Sequence, residues 1–331
     1  MRIAMTPPRV LRCLPAAALV GLVTMTAAAE LGAQGMTYSS GQSVAPAYEG
    51  WWENPDGTFT LTFGYMNRNW EEELDIPVGP DNLFSPGRAD RGQPTHFLPR
   101  RNRFMFQVTV PADFGDQELL WTIRSRGQEL VAIGSLRPDY FMDNVLMMSE
   151  TGALGAGSSN PELRAQEPPT VRLETPREIA AQVGQPVRLI AHVEDDGLPT
   201  PDTGRLPVTE EGLLDYTRAA RPPVRITVDK TNGLYFTWFV FRAPEVGRGQ
   251  GPVQDAVTFD PPQVHYWEDT RPFSNSPYAP GWFPPEPPAD GRWITEVTFD
   301  RPGTYILHGR ADDGGLVTDE QVTVVVRGPI S

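Results

Sequence analysis

Two Asp-Asp-Gly runs and one aromatic segment hold the side chains best suited to chemistry. Asp195-Asp196-Gly197 and Asp312-Asp313-Gly314 place four carboxylates beside turn-forming glycines. Carboxylates gathered at one end of a domain suit Ca²⁺, which takes roughly six to eight oxygen ligands. Asp195, Asp196, Asp312 and Asp313 are therefore the metal candidates, and calcium is the one cofactor the sequence leaves open. Neither run has the alternating acids and closing glutamate of an EF-hand loop. Aspartate before glycine ordinarily caps a strand end and starts a turn, and that is the reading the sequence favours.

The second group is Tyr266, Trp267, Tyr278, Trp282 and Trp293, in a proline-rich stretch. Exposed tryptophan and tyrosine faces stack on sugar rings or anchor protein interfaces, so a protein or a polysaccharide is the partner they would take. The alternative is an insertion, stiffened by proline, that folds its aromatics back over a core. Enzyme signatures are missing. His96, His192, His265 and His308 form no H-E-x-x-H and no close metal spacing. There is no G-x-S-x-G elbow. Gly247-Arg248-Gly249-Gln250-Gly251 lacks the Lys-Ser/Thr of a phosphate loop. Paired acids for glycoside cleavage leave no sequence spacing, and among 42 acidic residues some pair always looks suggestive. No residue is assigned a catalytic role.

Composition bounds place and partners. Arg2, Arg9 and Arg12 precede an apolar run from Leu14 to Ala29 that ends in three alanines. This is the pattern of a secretory signal over residues 1–29, cleaved after Ala29 or alternatively at Ala33. The run is short for a membrane span, so no transmembrane helix is expected in the mature chain. The only cysteine, Cys13, lies inside it. Residues 30–331 therefore form no disulfide, thiolate site or cysteine nucleophile, and the core must hold unaided. The expected location is the periplasm, the cell surface or the extracellular space. A net charge of −14 without a basic tail excludes nucleic acid as a partner.

The elements that would position these residues are strands. The 35 prolines and 31 glycines punctuate short alternating stretches, the mark of a β protein. After a leader at 30–47, a first β-sandwich or jelly-roll-like domain occupies 48–150, with no helix expected. Asn54-Pro55-Asp56-Gly57 turns the chain into Phe59, Leu61, Phe63 and Tyr65, which alternate with small and polar residues. Phe104 to Val110, Leu119 to Ser125 and Leu130 to Leu136 continue as a meander. Residues 151–169 lack periodicity and form a flexible linker, expected to transmit little between the halves. The second domain spans 170–328, with insertions at about 197–222 and 243–291. The first insertion holds an expected short helix near Thr209 to Ala219. Asn232-Gly233 joins expected strands Val224 to Val228 and Leu234 to Phe241. The latter is apolar on both faces, Phe236, Trp238 and Val240 on one and Tyr235, Phe239 and Phe241 on the other. Such a strand is buried on both sides, so the insertion or the first domain must cover its outer face.

From Pro169 onward the chain resembles the PKD and related immunoglobulin-like domains of bacterial extracellular proteins. Val183-Gly184-Gln185-Pro186-Val187-Arg188-Leu189 is similar to the family's second strand, and Leu234 to Trp238 to its tryptophan strand. Val257-Thr258-Phe259 and Val297-Thr298-Phe299 fit later strands. Pro302-Gly303-Thr304-Tyr305, followed by Ala311-Asp312-Asp313-Gly314, is the most specific match, with Tyr305 at a tyrosine corner and Leu307 where an antibody domain has cysteine. The family's Asp-Gly after the tryptophan strand is absent; Phe239-Val240-Phe241-Arg242 stands there. The resemblance implies a sandwich used for spacing, adhesion or binding. The expectation is an all-β chain of two β-sandwich domains. Its expected role is that of an exported, non-catalytic binding or structural protein of the bacterial envelope or extracellular space. The alternative is a carbohydrate-binding module or a β-sandwich carbohydrate-active enzyme.

Overall fold

The alternating stretches form sixteen strands among the described residues. The computed structural model describes residues 38–151, 165–201, 209, 211, 213, 215, 217, 230, 232–245, 252–264 and 285–328. The signal segment, residues 152–164 of the linker, strand Val224 to Val228, the helix near Thr209 and the Gly247–Gly251 turn fall wholly or mostly outside them.

In the first half, β1 (Val44–Glu53), β2 (Phe59–Asn67) and β6 (Arg100–Val110) form one antiparallel sheet, and β4 (Asn82–Ser85), β7 (Leu119–Ser125) and β8 (Gln128–Gly134) form a second. The short β3 (Leu74–Asp75) and β5 (His96–Phe97) pair with each other. Gly57, at φ +80°, closes the Asn54 turn, a left-handed conformation that glycine adopts without strain. The turn sets the register that sends Leu61, Phe63 and Tyr65 into the core. There Trp121 stacks on Phe84 and meets Phe106 edge-on at 4.9 Å. Its indole N–H donates to the buried Asn82 Oδ1 at 2.9 Å, so the largest core side chain carries no orphaned donor.

The second half has the same plan. β9 (Thr170–Leu173), β11 (Val187–Glu194), β14 (Arg292–Phe299) and β13 (Val257–Asp260) make one sheet in the order β13-β14-β11-β9. β10 (Glu178–Gln182), β16 (Val317–Arg327), β15 (Gly303–Asp312) and β12 (Tyr235–Arg242) make the other, with β10 parallel to β16. Lettered in chain order, with β9 and β10 as one split first strand, the sheets are A-B-E-D and A-G-F-C, the immunoglobulin-type arrangement. The Tyr305 hydroxyl donates to the Arg301 carbonyl at 3.1 Å and forms the expected tyrosine corner. Trp238 lies under Phe236 in the core, opposite Gly309. A Cβ at Gly309 would come within 2.9 Å of the indole, so this close approach requires glycine. If β3 and β5 are set aside, the first-half sheets are A-B-E and C-F-G, the same order without strand D.

Three features differ from expectation. β1 starts at Val44, inside the expected leader; Pro46 and Gly50 had hidden its period. Asn144–Thr151 is a helix, α1, whose start is capped by Asp143 Oδ1 accepting the Leu146 N–H at 2.8 Å. The third is the coupling between the halves, which the expected linker alone would not supply. The described residues, all from Tyr38 onward, belong to one compact unit. Phe239 and Phe241 of β12 sit in the first-half core, while Phe236, Trp238 and Val240 sit in the second-half core. The first domain thus covers the outer face of the doubly apolar strand.

Candidate functional site

The junction between the halves gathers the most unusual polar chemistry of the described residues. His96, on β5, is 2 % exposed and lies between two carboxylates. Its Nδ1 is 2.7 Å from Asp75 Oδ1 and its Nε2 is 2.7 Å from Glu73 Oε2. Burial opposes the charged imidazole, yet hydrogen bonds to Asp75 and Glu73 and their negative charges outweigh it, and the pKa is pushed up to about 10. The two acids sit at opposite ring nitrogens and do not converge on one point. Among the described residues no group of His, Asp or Glu is arranged to hold a metal ion.

Asp75 also faces the second half, where its Oδ2 accepts the Val253 N–H at 3.0 Å. The Thr95 N–H donates to the Phe241 carbonyl, and the Ala243 N–H to Thr95 Oγ1. Arg242 donates to the Gln93 carbonyl and forks onto Asp90, at 2.6 Å for the closer pair. Arg310 is held by both Asp319 oxygens at 2.7 Å and reaches across to the carbonyls of Arg103 and Phe104. A cavity of about 190 Å³ lies beside these groups, lined by Glu73, His96, Asn102, Trp238, Gln263 and Arg310 among others. Most of its polar atoms already bond to protein: Gln263 Oε1 accepts the Trp238 backbone N–H and Asn102 donates to three carbonyls. The indole Nε1 of Trp238 has no hydrogen-bond partner among the described residues. His308 stacks on Phe241 at 3.7 Å, and burial pushes its pKa down to about 4.

Both Asp-Asp-Gly runs lie at one end of the second sandwich, bridged by one short segment. Gln166 Nε2 donates to Asp313 Oδ2 at 2.7 Å, and the Glu167 N–H donates to Asp196 Oδ2 at 3.0 Å. Each aspartate turns its carboxylate back on its own loop. Asp195 accepts the Gly197 N–H, Asp196 that of Leu198, Asp312 that of Gly314, and Asp313 those of Gly315 and Leu316. These are Asx turns. Asp312 and Asp313 are buried, and Asp312 accepts both short contacts from Lys230. Burial, aided by the neighbouring Asp312 charge, raises Asp313 to about 7 against the pull of its hydrogen bonds.

Of the aromatic candidates, Tyr266, Trp267, Tyr278 and Trp282 lie outside the described residues. Trp293, on β14, packs edge-on against Tyr235 at 5.7 Å and tilts over Phe236. The sequence reading missed a different aromatic group. Tyr140 and Phe141 are more than two-fifths exposed, and they lean on Tyr48 and Trp51 at 5.2 and 5.3 Å. It also missed the trio Glu73, Asp75 and His96, in which strand β4 separates the two acids from the histidine. The one available signal was the Glu73-Leu74-Asp75 alternation at the start of β3.

No protein-family model matches the chain, and no curated protein sequence matches it. Among solved structures it is similar to an adhesin, InvE, of Yersinia pseudotuberculosis. The identity is 12%, 88% of this chain and 61% of the adhesin are covered, and the TM-score is 0.23. It is also similar to the titin immunoglobulin tandem A164-A165, at 11% identity, 87% and 100% coverage and a TM-score of 0.20. The S-layer protein SbsC domains 4 and 5 align at 11% identity, 86% and 98% coverage and a TM-score of 0.21. This chain spans less than two thirds of the adhesin's length. At such scores the chains do not superpose as wholes, and the immunoglobulin-type assignment rests on the strand order above.

Proposed function

We propose that the chain is an exported, non-catalytic protein of the bacterial envelope or extracellular space. In this reading its two sandwiches form one stiff unit that spaces other components or presents a surface to protein or polysaccharide. The carrying observation is β12, which puts Phe236, Trp238 and Val240 in one core and Phe239 and Phe241 in the other. Bending between the halves would pull two phenylalanines out of a packed interior. Fully burying such a side chain is worth about 1.5–3 kcal/mol. The junction charges support the same reading. Glu73, Asp75 and Arg310 are held by His96, Asp319 and backbone groups, which leaves little free for acid–base work. The signal pattern of residues 1–29 supports export. Fractionation should find the protein outside the cytoplasm with its N-terminus near Glu30, and calorimetry should show one unfolding transition. An intact Met1 in a cytosolic fraction, or two separable transitions, would remove the basis for the proposal.

A carbohydrate-binding role is the second reading, favoured by the exposed Tyr140 and Phe141 beside Trp51. Retardation in polysaccharide-containing native gels that Phe141→Ala abolishes would establish it over the spacer reading.

A further inference from the structure

The chain has one lysine, Lys230, and every other basic residue besides histidine is arginine. That lysine is buried. Its Nζ lies 2.7 and 2.6 Å from the two oxygens of Asp312, and both side chains are 6 % exposed. A buried ion pair of this kind is weakly stabilising at best, because two desolvated charges recover in attraction little more than they lose in hydration. Arginine is the usual residue for such a pair, since its planar fork matches a carboxylate and its charge is permanent. An amine differs from guanidinium in being able to lose its proton and act as a nucleophile.

We propose that Lys230 and Asp312 are the two ends of an intramolecular isopeptide bond, formed after folding. Transfer of one proton within the pair converts ammonium and carboxylate into amine and carboxylic acid, with no exchange with solvent. The amine lone pair then attacks Asp312 Cγ and a C–N bond forms. The nitrogen gives up a second proton, the Cγ–OH bond breaks, and the hydroxyl departs with that proton as water. Amine plus acid becomes amide plus water, and no oxidant or energy source is needed.

The surroundings favour the free amine and hold the two ends together. Burial lowers the Lys230 pKa against the opposing pull of Asp312, which favours the amine. The charge of the neighbouring buried Asp313 also raises the Lys230 pKa, but burial outweighs it. The backbone holds the ends in place. The Gly314 N–H donates to Asp312 Oδ1, and the Gly233 N–H donates to the Asp313 carbonyl, which ties the approach to β12 onto the end of β15. The amide would tie the segment leading into β12, the strand that serves both cores, to the end of its neighbour β15. This inference stands independently of the proposed export and spacer role.

Intact-mass spectrometry of the purified, denatured protein tests it. The mass should fall below that of the sequence by one water, and digestion should yield a joined peptide pair containing Lys230 and Asp312. Lys230→Arg keeps a cation at the pair and should restore the full mass. A full mass in the wild type would overturn the proposal. So would a water loss that maps to a cyclised Asp313-Gly314 and joins no second peptide, or one that persists in Lys230→Arg.

Discussion

Trp238→Ala should lower the stability of both halves together. Trp238 is 1 % exposed, packs edge-on against Phe236 at 5.3 Å and faces Gly309, whose missing side chain makes room for the indole. Removing a buried tryptophan costs about 3–5 kcal/mol through lost burial and the cavity left behind. A domain's whole stability is only about 5–15 kcal/mol. In domains of 150–250 residues each kcal/mol moves Tm by about 2–4 °C, so the expected fall is about 6–20 °C, toward the lower end in this larger unit. The first half should not be spared, because Phe239 and Phe241 on the same strand are part of its core. Calorimetry should show one transition, displaced downward, with calorimetric and van't Hoff enthalpies in agreement. Phe106→Ala, which removes the ring packed on Trp121 in the first core, should displace that same transition. A Trp238→Ala profile split in two, with one component at the wild-type temperature, would refute the shared-strand reasoning. Wild-type melting would mean that the side chain is at the surface and the β12 register is off by one.

The junction histidines give the protein a stability optimum on the mildly acidic side of neutral. His96 is raised to about 10 in the fold, so its contribution is complete below the unfolded value of about 6.5 and is lost as pH climbs through 10. His308 is depressed to about 4, so its contribution is present above about 6.5 and is lost as pH falls through 4. Denaturant midpoints across pH should decline on both sides, and His96→Gln should flatten the alkaline limb; an unchanged limb would contradict the paired imidazolium. Arg310→Lys should cost about 1.5–3 kcal/mol in urea unfolding, because an ammonium cannot serve Asp319 and two carbonyls of the first half together; a loss below 0.5 kcal/mol, the ordinary surface level, would show that Arg310 does not bridge the halves. Millimolar Ca²⁺ should leave Tm unchanged, since Asp195, Asp196 and Asp313 already accept backbone N–H groups and Asp312 is engaged by Lys230; a rise reversed by chelator would make them ligands.

Strands with clean alternation were legible in the sequence. β2, β7, β11 and β16 each put one apolar face inward, and the Pro302-Gly303-Thr304-Tyr305 turn announced its tyrosine corner. β1 was not, because Pro46 and Gly50 break the period and its aromatics lie on a half-buried edge. α1 escaped because its apolar residues, Val145 to Met148, stand in one run and show no helical repeat. The doubled apolar face of β12 showed that something must cover it, but only the tertiary contacts identify the first half as the cover. Glu73, His96 and Asp75 were illegible for the same reason. Strand pairing between Leu74–Asp75 and His96–Phe97 assembles them, and nothing in either segment names its partner.

A distance distribution across the junction shows whether β12 joins the two sandwiches into one stiff body. Residues 30–331 contain no cysteine, so Asp116→Cys and Glu178→Cys, both at exposed positions on opposite halves, can be spin-labelled without background. Pulsed dipolar spectroscopy should give a single narrow distance peak, unchanged between low and high salt, because the junction rests on buried phenylalanines more than on exposed ion pairs. A broad distribution, or one that widens with salt, would contradict the account.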